Sequence, residues 1–457
     1  MPKTTLHLAL AACFGGLLLA SASAPAATLD DLRAEIASQR ERLEKLEEIL
    51  KATAATATAA TQKAEAAAQA AKTASSQAAG IPQGFSIYGI ADAGVEFGDY
   101  GQGNKTRVQS GLGSASRLGF KGRREFDEDL SAYFQLEAGV SVDNGQNTGH
   151  SSNVSNPSQG TAASASVNTT GVAIFSRNTF VGVSSKRWGD VRAGRDYAPI
   201  YTITSASDPF TIGGATAFRL WSSAAASRFD NGVFYTSPKW SNWQASVAYS
   251  AGMENNSRSD VGVTGGSGGT NSNTGPEGEG KGQSASLTYS DGPLFVGAGY
   301  LSYLKMGTVT APATENARRT AWNLAATYDF KVAKVYGQYL HGKDSQAGAA
   351  SNPSLDRNIW WLGVAAPVAP KHTVRAVYGH LDDRLSTDRD SSHIGLGYEY
   401  AMDKHTDLYA YYARVSNQNG GTNSLCAGGS CQGYDKDSGL PANYTPKSLM
   451  LGARYRF

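Results

Sequence analysis

The sequence has 457 residues, with 41 Lys and Arg against 39 Asp and Glu, so its net charge is +2. That balance gives no basic footprint for nucleic acid. A charged fraction of 18% is low for a soluble domain. No run of eighteen apolar residues is present to form a transmembrane helix, whereas 52 Gly and 22 Tyr accompany many short alternating segments.

Lys3 precedes an apolar stretch, residues 8–20, which is followed by small residues. This pattern predicts a secretory signal peptide over residues 1–26, cut after Ala26, with Ala24 and Ala26 as the small pair. A cut after Ala24 would leave Pro25 first in the product, which signal peptidases disfavour. Leu10-Ala11-Ala12-Cys13 also matches a lipoprotein box, but modification there would leave residues 14–20 as an unexplained apolar run.

Residues 27–80 read as a helical rod. Leu29, Leu32, Ile36, Gln39, Leu43, Leu46 and Leu50 recur at alternating spacings of three and four, an a/d heptad seam flanked by charges. A single helix would have nowhere to bury these leucines, so self-association as a coiled coil is expected. Residues 52–79 are Ala-rich. Either the helix continues, which Ala favours, or the segment is a partly ordered tether. Gly80 and Pro82 stop the helix. A continuous rod over residues 29–79 would be roughly 75 Å long at the α-helical rise.

From residue 85 the hydrophobic period becomes two. Sixteen strands are predicted, near 85–97, 114–125, 129–142, 174–186, 189–197, 224–237, 242–252, 282–290, 294–304, 319–330, 334–343, 357–367, 371–382, 391–401, 406–416 and 447–457. Short connections follow even-numbered strands, and long ones follow odd-numbered strands. The last strand sets Leu449, Leu451, Ala453, Tyr455 and Phe457 on one face and Ser448, Met450, Gly452, Arg454 and Arg456 on the other. An apolar strand of this kind would be a sticky edge unless the sheet closed on itself in lipid. The predicted fold is therefore all-β, a 16-stranded antiparallel transmembrane β-barrel over residues 81–457, with the α-helical coiled coil as an N-terminal extension. Both barrel ends and the rod then lie on the short-turn, periplasmic side. Aromatics near strand ends, among them Tyr88, Trp188, Trp240, Trp243, Trp322, Tyr328, Tyr409, Tyr411 and Tyr455, suit interfacial girdles.

Alternation also predicts the lumen. If Leu118 and Phe120 face lipid, Arg117, Lys121 and Arg123 face inward. Phe180 turned outward would place Arg177 inward, and Phe229 turned outward would do the same for Arg228. A charge on the lipid face costs about 2–4 kcal/mol at the midplane. These cations can form a lumenal ladder; the competing reading is solvated rim charge.

The order of several motifs resembles the trimeric general-diffusion porins of Gram-negative bacteria, especially the β-proteobacterial type. The motifs are Ser86-Ile-Tyr88-Gly89-Ile-Ala-Asp92, Ser116-Arg117-Leu118-Gly119-Phe120-Lys121-Gly122, Ala132-Tyr-Phe-Gln135-Leu-Glu137-Ala-Gly139, Ser176-Arg177-Asn178-Thr-Phe180-Val-Gly182, Gly194-Arg195-Asp196-Tyr197, Asp208-Pro209-Phe210, Arg228 with Asn231-Gly232-Val233, and the terminal Arg-Tyr-Arg-Phe. A terminal aromatic resembles the assembly signal of outer-membrane barrels. The resemblance implies an outer-membrane homotrimer, surrounded by lipid and lipopolysaccharide, that passes small hydrophilic solutes; the cationic excess of the ladder predicts that anions are preferred. The apolar connection from Tyr197 to Ser223 resembles the porin loop that folds inward. Asp208 would then face the basic ladder, and Arg195 would join the ladder or pair with Asp196. The heptad rod departs from ordinary general porins and resembles the coil of some sugar-specific ones. It leaves open a sugar- or acid-specific channel, or an envelope tether touching peptidoglycan or a periplasmic partner.

Cys426 and Cys431 are expected to close a small disulfide in an oxidising compartment. Zinc is the alternative, but no His lies nearby in sequence. Gly265-Gly-Ser267-Gly-Gly269 formally matches a nucleophile elbow but has no strand–turn–helix context. The histidines have no metal-ligand spacing, so neither enzyme, metal nor cofactor is expected.

Overall fold

The computed structural model describes residues 84–145 except 102, 174–252, 281–304, 318–345, 355–425 and 440–457, with scattered helical positions from Asp30 to Gln62. The signal segment, the heptad seam and both Cys426 and Cys431 lie outside the described residues. The chain divides into two units, Met1–Gln83 and Gly84–Phe457. In the first, Asp30, Ala37, Ser38, Arg40, Glu41, Glu44, Lys45, Glu47, Glu48, Lys51 and Gln62 are helical. Lys45 Nζ lies 2.6 Å from Glu41 Oε1, one helical turn away on an exposed face.

The second unit is a closed sheet. Its strands are β1 (Phe85–Asp99), β2 (Asn104–Ser110), β3 (Arg117–Glu125), β4 (Leu130–Gly139), β5 (Thr179–Ser185), β6 (Gly189–Tyr197), β7 (Arg228–Thr236), β8 (Trp243–Ser250) and β9 (Gly282–Asp291). They continue as β10 (Leu294–Leu304), β11 (Arg318–Asp329), β12 (Lys334–Asp344), β13 (Asp356–Ala369), β14 (His372–Asp383), β15 (Ser391–Ala401), β16 (Thr406–Asn417) and β17 (Lys447–Arg456). Two helices, α1 (Pro199–Ala206) and α2 (Phe218–Ser222), lie between β6 and β7. Neighbours pair antiparallel in chain order, and β1 closes on β17 from Ile90↔Arg456 to Asp99↔Lys447. Closure satisfies every edge, as hydrocarbon requires.

Both β2 and β3 pair with β1, β2 with its second half and β3 with its first. Together they make one stave, so the barrel has sixteen. The expected second strand, residues 114–125, is thus only the periplasmic half of this stave, and the expected long connection at 98–113 contains the other half. The stave kinks at residues 111–116. There Gly113 N donates to Asp92 Oδ1 at 3.0 Å, and Asp92 N donates to Ser116 Oγ at 2.9 Å. At the short-turn end, the N–H groups of Leu130 and Asp129 each donate to Asp127 Oδ1 at 2.7 Å and hold its carboxyl below the ordinary range.

The outer face is apolar in alternate positions: Val181, Val183, Val191, Val233, Val247, Leu324, Leu362, Leu396, Leu449 and Leu451 are exposed. Trp188, Trp240, Trp243, Phe330, Tyr455 and Phe457 are exposed near the short turns. Some aromatics face the other way. Tyr88 donates to Glu137 Oε2 at 2.9 Å, and Tyr409 and Tyr411 are buried, because Ile87 and Leu408 take the outward positions. Phe180 is also inward. Its neighbour Val181 is exposed, and its ring meets Tyr133 at 5.9 Å and the Arg192 guanidinium at 5.7 Å.

Candidate functional site

The inner wall carries the segment between β6 and β7. Pro199 at the first helical position favours α1. Ile200, Ile203, Phe210, Leu220 and Trp221 are almost fully buried. Each contributes about 1.5–3 kcal/mol if withdrawn from water. Polar anchors fix the register. Asn323 Nδ2 donates to Ile200 O at 3.1 Å, Trp361 Nε1 donates to Ser207 O at 2.9 Å, and Ser207 Oγ donates to Gln338 Oε1 at 2.9 Å. Arg375 donates to Pro209 O and also to Glu399. The seat needs glycines on both the wall and the segment. A Cβ on Gly395 would stand 1.9 Å from Ala215 O, and one on Gly213 would stand 1.8 Å from Gly113 O. The segment therefore touches both β15 and the kinked stave.

Facing α1 is a cavity of ≈ 480 Å³ lined in part by Arg117, Arg177, Tyr197, Tyr201, Ile212 and Arg228. Arg117 Nη2 donates to Ser114 Oγ at 3.1 Å and Nε donates to Ala115 O at 3.0 Å. Arg177 Nε pairs with Glu137 Oε1, and Arg177 Nη2 donates to Tyr197 Oη at 3.1 Å. Arg228 Nη2 donates to the same hydroxyl at 2.6 Å, and Nε donates to Asn178 Oδ1 at 3.2 Å. The Arg228 guanidinium sits 4.2 Å from the Tyr197 ring centre, and Tyr197 stacks on Tyr201 at 4.5 Å. Among the described residues, Arg117 and Arg228 have no carboxylate within ion-pair distance. With Arg177 balanced by Glu137, two uncompensated positive charges remain at the cavity.

The seven candidate residues separate in space. Arg117, Arg177 and Arg228 come together. Lys121 and Arg123 share the face of Arg117 but are exposed, over the rings of Tyr88 at 5.1 Å and Tyr133 at 5.9 Å. Arg195 pairs with Asp230, not with Asp196, and donates to Ser176 O at 2.8 Å. Asp208 does not confront the arginines. It is buried in the inward segment, where Phe210 N, Ile212 N and Thr216 Oγ1 donate to its carboxylate at 3.2, 2.6 and 2.7 Å. Burial pushes its carboxyl above the ordinary range. Arg228 reaches the cavity for a reason other than an outward Phe229, which is itself buried. The register shifts between Gly194 and Asp196, opposite Asn231 at φ 48°, and this bulge re-aims the strand end.

Glu137, Asn178, Tyr197 and Tyr201 complete the site; the first three stand in the motifs quoted above, but none of the four has a site role assigned from sequence. The alternation that points Tyr88 inward also points Glu137 inward. The hydrogen bonding of Asp208 gives a separate expectation. Asp208→Ala strands three donors and should cost about 2–4 kcal/mol. Thermal unfolding of the folded barrel should show a fall of several degrees; an unchanged midpoint would contradict that structural role.

A family model described as Gram-negative porin matches residues 52–420. The chain belongs to the Gram-negative porin family. This porin is 25% identical over 394 residues to outer membrane porin protein 32 of Delftia acidovorans, covering 84% of this chain and 97% of the relative. It is also 25% identical over 371 residues to an outer membrane porin protein of Bordetella pertussis (strain Tohama I), covering 73% of this chain and 89% of the relative. Its fold matches an anion-selective porin from Comamonas acidovorans at a TM-score of 0.59 and 23% identity, covering 82% of this chain and 99% of that one. The porin is an outer-membrane channel for the passive diffusion of small hydrophilic solutes.

Proposed function

We propose that this porin is a trimeric, anion-preferring channel narrowed by the segment between β6 and β7. The carrying observation is the pair of uncompensated guanidiniums, Arg117 and Arg228, facing α1 across one cavity. In a narrow, low-dielectric passage, two positive charges attract anions and repel cations, and salt weakens the bias as the Debye length shrinks. Asp208 does not line this cavity; it is buried in the inward segment among the loop's own donors. The anion-selective porin of similar fold supports the reading. The zero-current potential across a KCl gradient tests it: a chloride-preferring sign is expected, and a potassium-preferring sign would refute it.

The rod is read as a parallel three-stranded coiled coil in the periplasm, its stoichiometry set by the barrel trimer and its affinity raised by high local concentration. Its length suits a contact with peptidoglycan or a periplasmic partner. Deleting residues 29–79 should leave trimers and step conductance mostly intact in planar bilayers. Loss of all channel activity would show that the rod is essential to the pore.

A further inference from the structure

The lumen wall carries further cations between the constriction and the short turns. On β3 the inward positions Arg117, Lys121 and Arg123 descend toward the turn at Asp127, so Arg123 lies about 20 Å beyond Arg117 along the strand. Lys121 and Arg123 are exposed. Among the described residues neither has a carboxylate within ion-pair distance, although Glu125 holds the next inward position.

The register sets aromatic rings beside both. Lys121 lies opposite Gln135, which lies opposite Phe180; Arg123 lies opposite Tyr133, which lies opposite Gly182. The Lys121 ammonium stands 5.1 Å from the Tyr88 ring centre, and the Arg123 guanidinium 5.9 Å from that of Tyr133. Both rings press on glycines of the wall. A Cβ on Gly119 would stand 2.2 Å from the Tyr88 ring, and one on Gly182 would stand 2.6 Å from that of Tyr133. Their hydroxyls are tied to Glu137 and Asp190, so the rings are held in place. Phe180 meets Tyr133 edge-on at 5.9 Å and is only half-buried. Arg192, over the Phe180 ring, is neutralised by Asp190 and Asp196. The uncompensated charge of this platform therefore belongs to Lys121 and Arg123.

We propose that this wall is a second solute site, on the short-turn side of the constriction, that binds aromatic carboxylates. The carboxylate sits between Lys121 and Arg123, and the ring lies against Phe180 and Tyr133. Lys121 and Phe180 stand two strand spacings apart, about 10 Å, a span that a ring bearing one carboxylate bridges. An aliphatic acid would leave the aromatic platform unused, and a neutral sugar would leave the cations unused. A ring stacked on Phe180 gains the aromatic contact in addition to the charge pairing. The site requires an open channel but not the charges of Arg117 and Arg228.

The test uses the full-length folded porin in an alkyl-glycoside detergent, titrated with sodium benzoate and read by saturation-transfer NMR of the ligand protons. Saturable benzoate binding is expected, with cyclohexanecarboxylate about threefold weaker because it has no π face. K121Q/R123Q should weaken benzoate about fivefold, as two solvated ion pairs supply. F180L should weaken benzoate about threefold and leave cyclohexanecarboxylate unchanged. Heat-resistant migration on gels checks that each variant is folded. R117S/R228S should bind benzoate as the wild type does, whatever the sign of its zero-current potential, so this site and the selectivity of the constriction fail separately. Loss of benzoate binding in R117S/R228S with retention in K121Q/R123Q would place the anion at the constriction and overturn the proposal. Equal affinity for benzoate and cyclohexanecarboxylate, or tighter binding of glucose than of benzoate, would also overturn it.

Discussion

Replacing residues 199–226 with a short Gly-Ser turn is expected to raise single-channel conductance by about twofold or more, because the narrowest cross-section limits ion flow. The excision is feasible because its ends already meet: Tyr197 is paired with Arg228, and Ala198 N donates to Ser227 O at 3.0 Å. Sixteen staves and their ladders remain. The change removes α1, α2 and the apolar side chains they bury, Ile200, Phe210, Leu220 and Trp221 among them, leaving Leu340, Ile359 and Trp361 facing pore water. A lower thermal midpoint should accompany the wider pore. Conductance equal to wild type, in a barrel that still resists detergent unfolding, would show that the constriction lies elsewhere.

The second large effect is an asymmetry between arginines. Arg177 and Glu137 are a buried ion pair, each about 4% exposed. Arg177→Ser leaves the Glu137 carboxylate without its partner, and loss of one member of such a pair costs about 3–5 kcal/mol. It also adds a negative charge to the cavity, so anion preference should fall together with stability. Arg117→Ser breaks no ion pair, so it should lower anion preference with a small change in midpoint. The double variant R177S/E137Q separates the two effects. Stability should recover substantially relative to R177S, and selectivity should return toward wild type, because the pair carried no net charge. If R177S/E137Q unfolds as readily as R177S, the two side chains are not coupled.

Much of the barrel is legible in the sequence because alternation is a strong signal where one face meets lipid. The boundaries of β6, β10 and β15 read from sequence as they are found. The signal fails where that contrast is weak. In β2, Asn104-Lys-Thr-Arg-Val-Gln-Ser, the single large apolar residue is Val108, so the half-stave reads as loop. Phe180 reads as lipid-facing because it is the largest apolar residue in its stretch, although smaller valines on either side of Gly182 face out. An aromatic ring can serve either face, and here cross-strand partners such as Arg192 decide.

Charge and parity find the arginines but not their partners. Sequence distinguishes neither a free guanidinium from one neutralised by Glu137 nor a pore-facing Asp208 from one spent on its own loop. Both distinctions depend on backbone donors and side chains brought together by the inward segment. Alternation places Arg228 inward for a mistaken reason, since the bulge at Asn231 breaks the simple pattern.

The zero-current potential of single channels under a tenfold KCl gradient, with wild type and R117S/R228S compared in the same bilayers, bears most directly on the charge arrangement. The wild type should give a chloride-preferring potential that shrinks as both salt concentrations rise. R117S/R228S should bring the potential close to zero, because the remaining Arg177 and Glu137 cancel. A potassium-preferring wild type, or a double variant with the wild-type potential, would contradict the account.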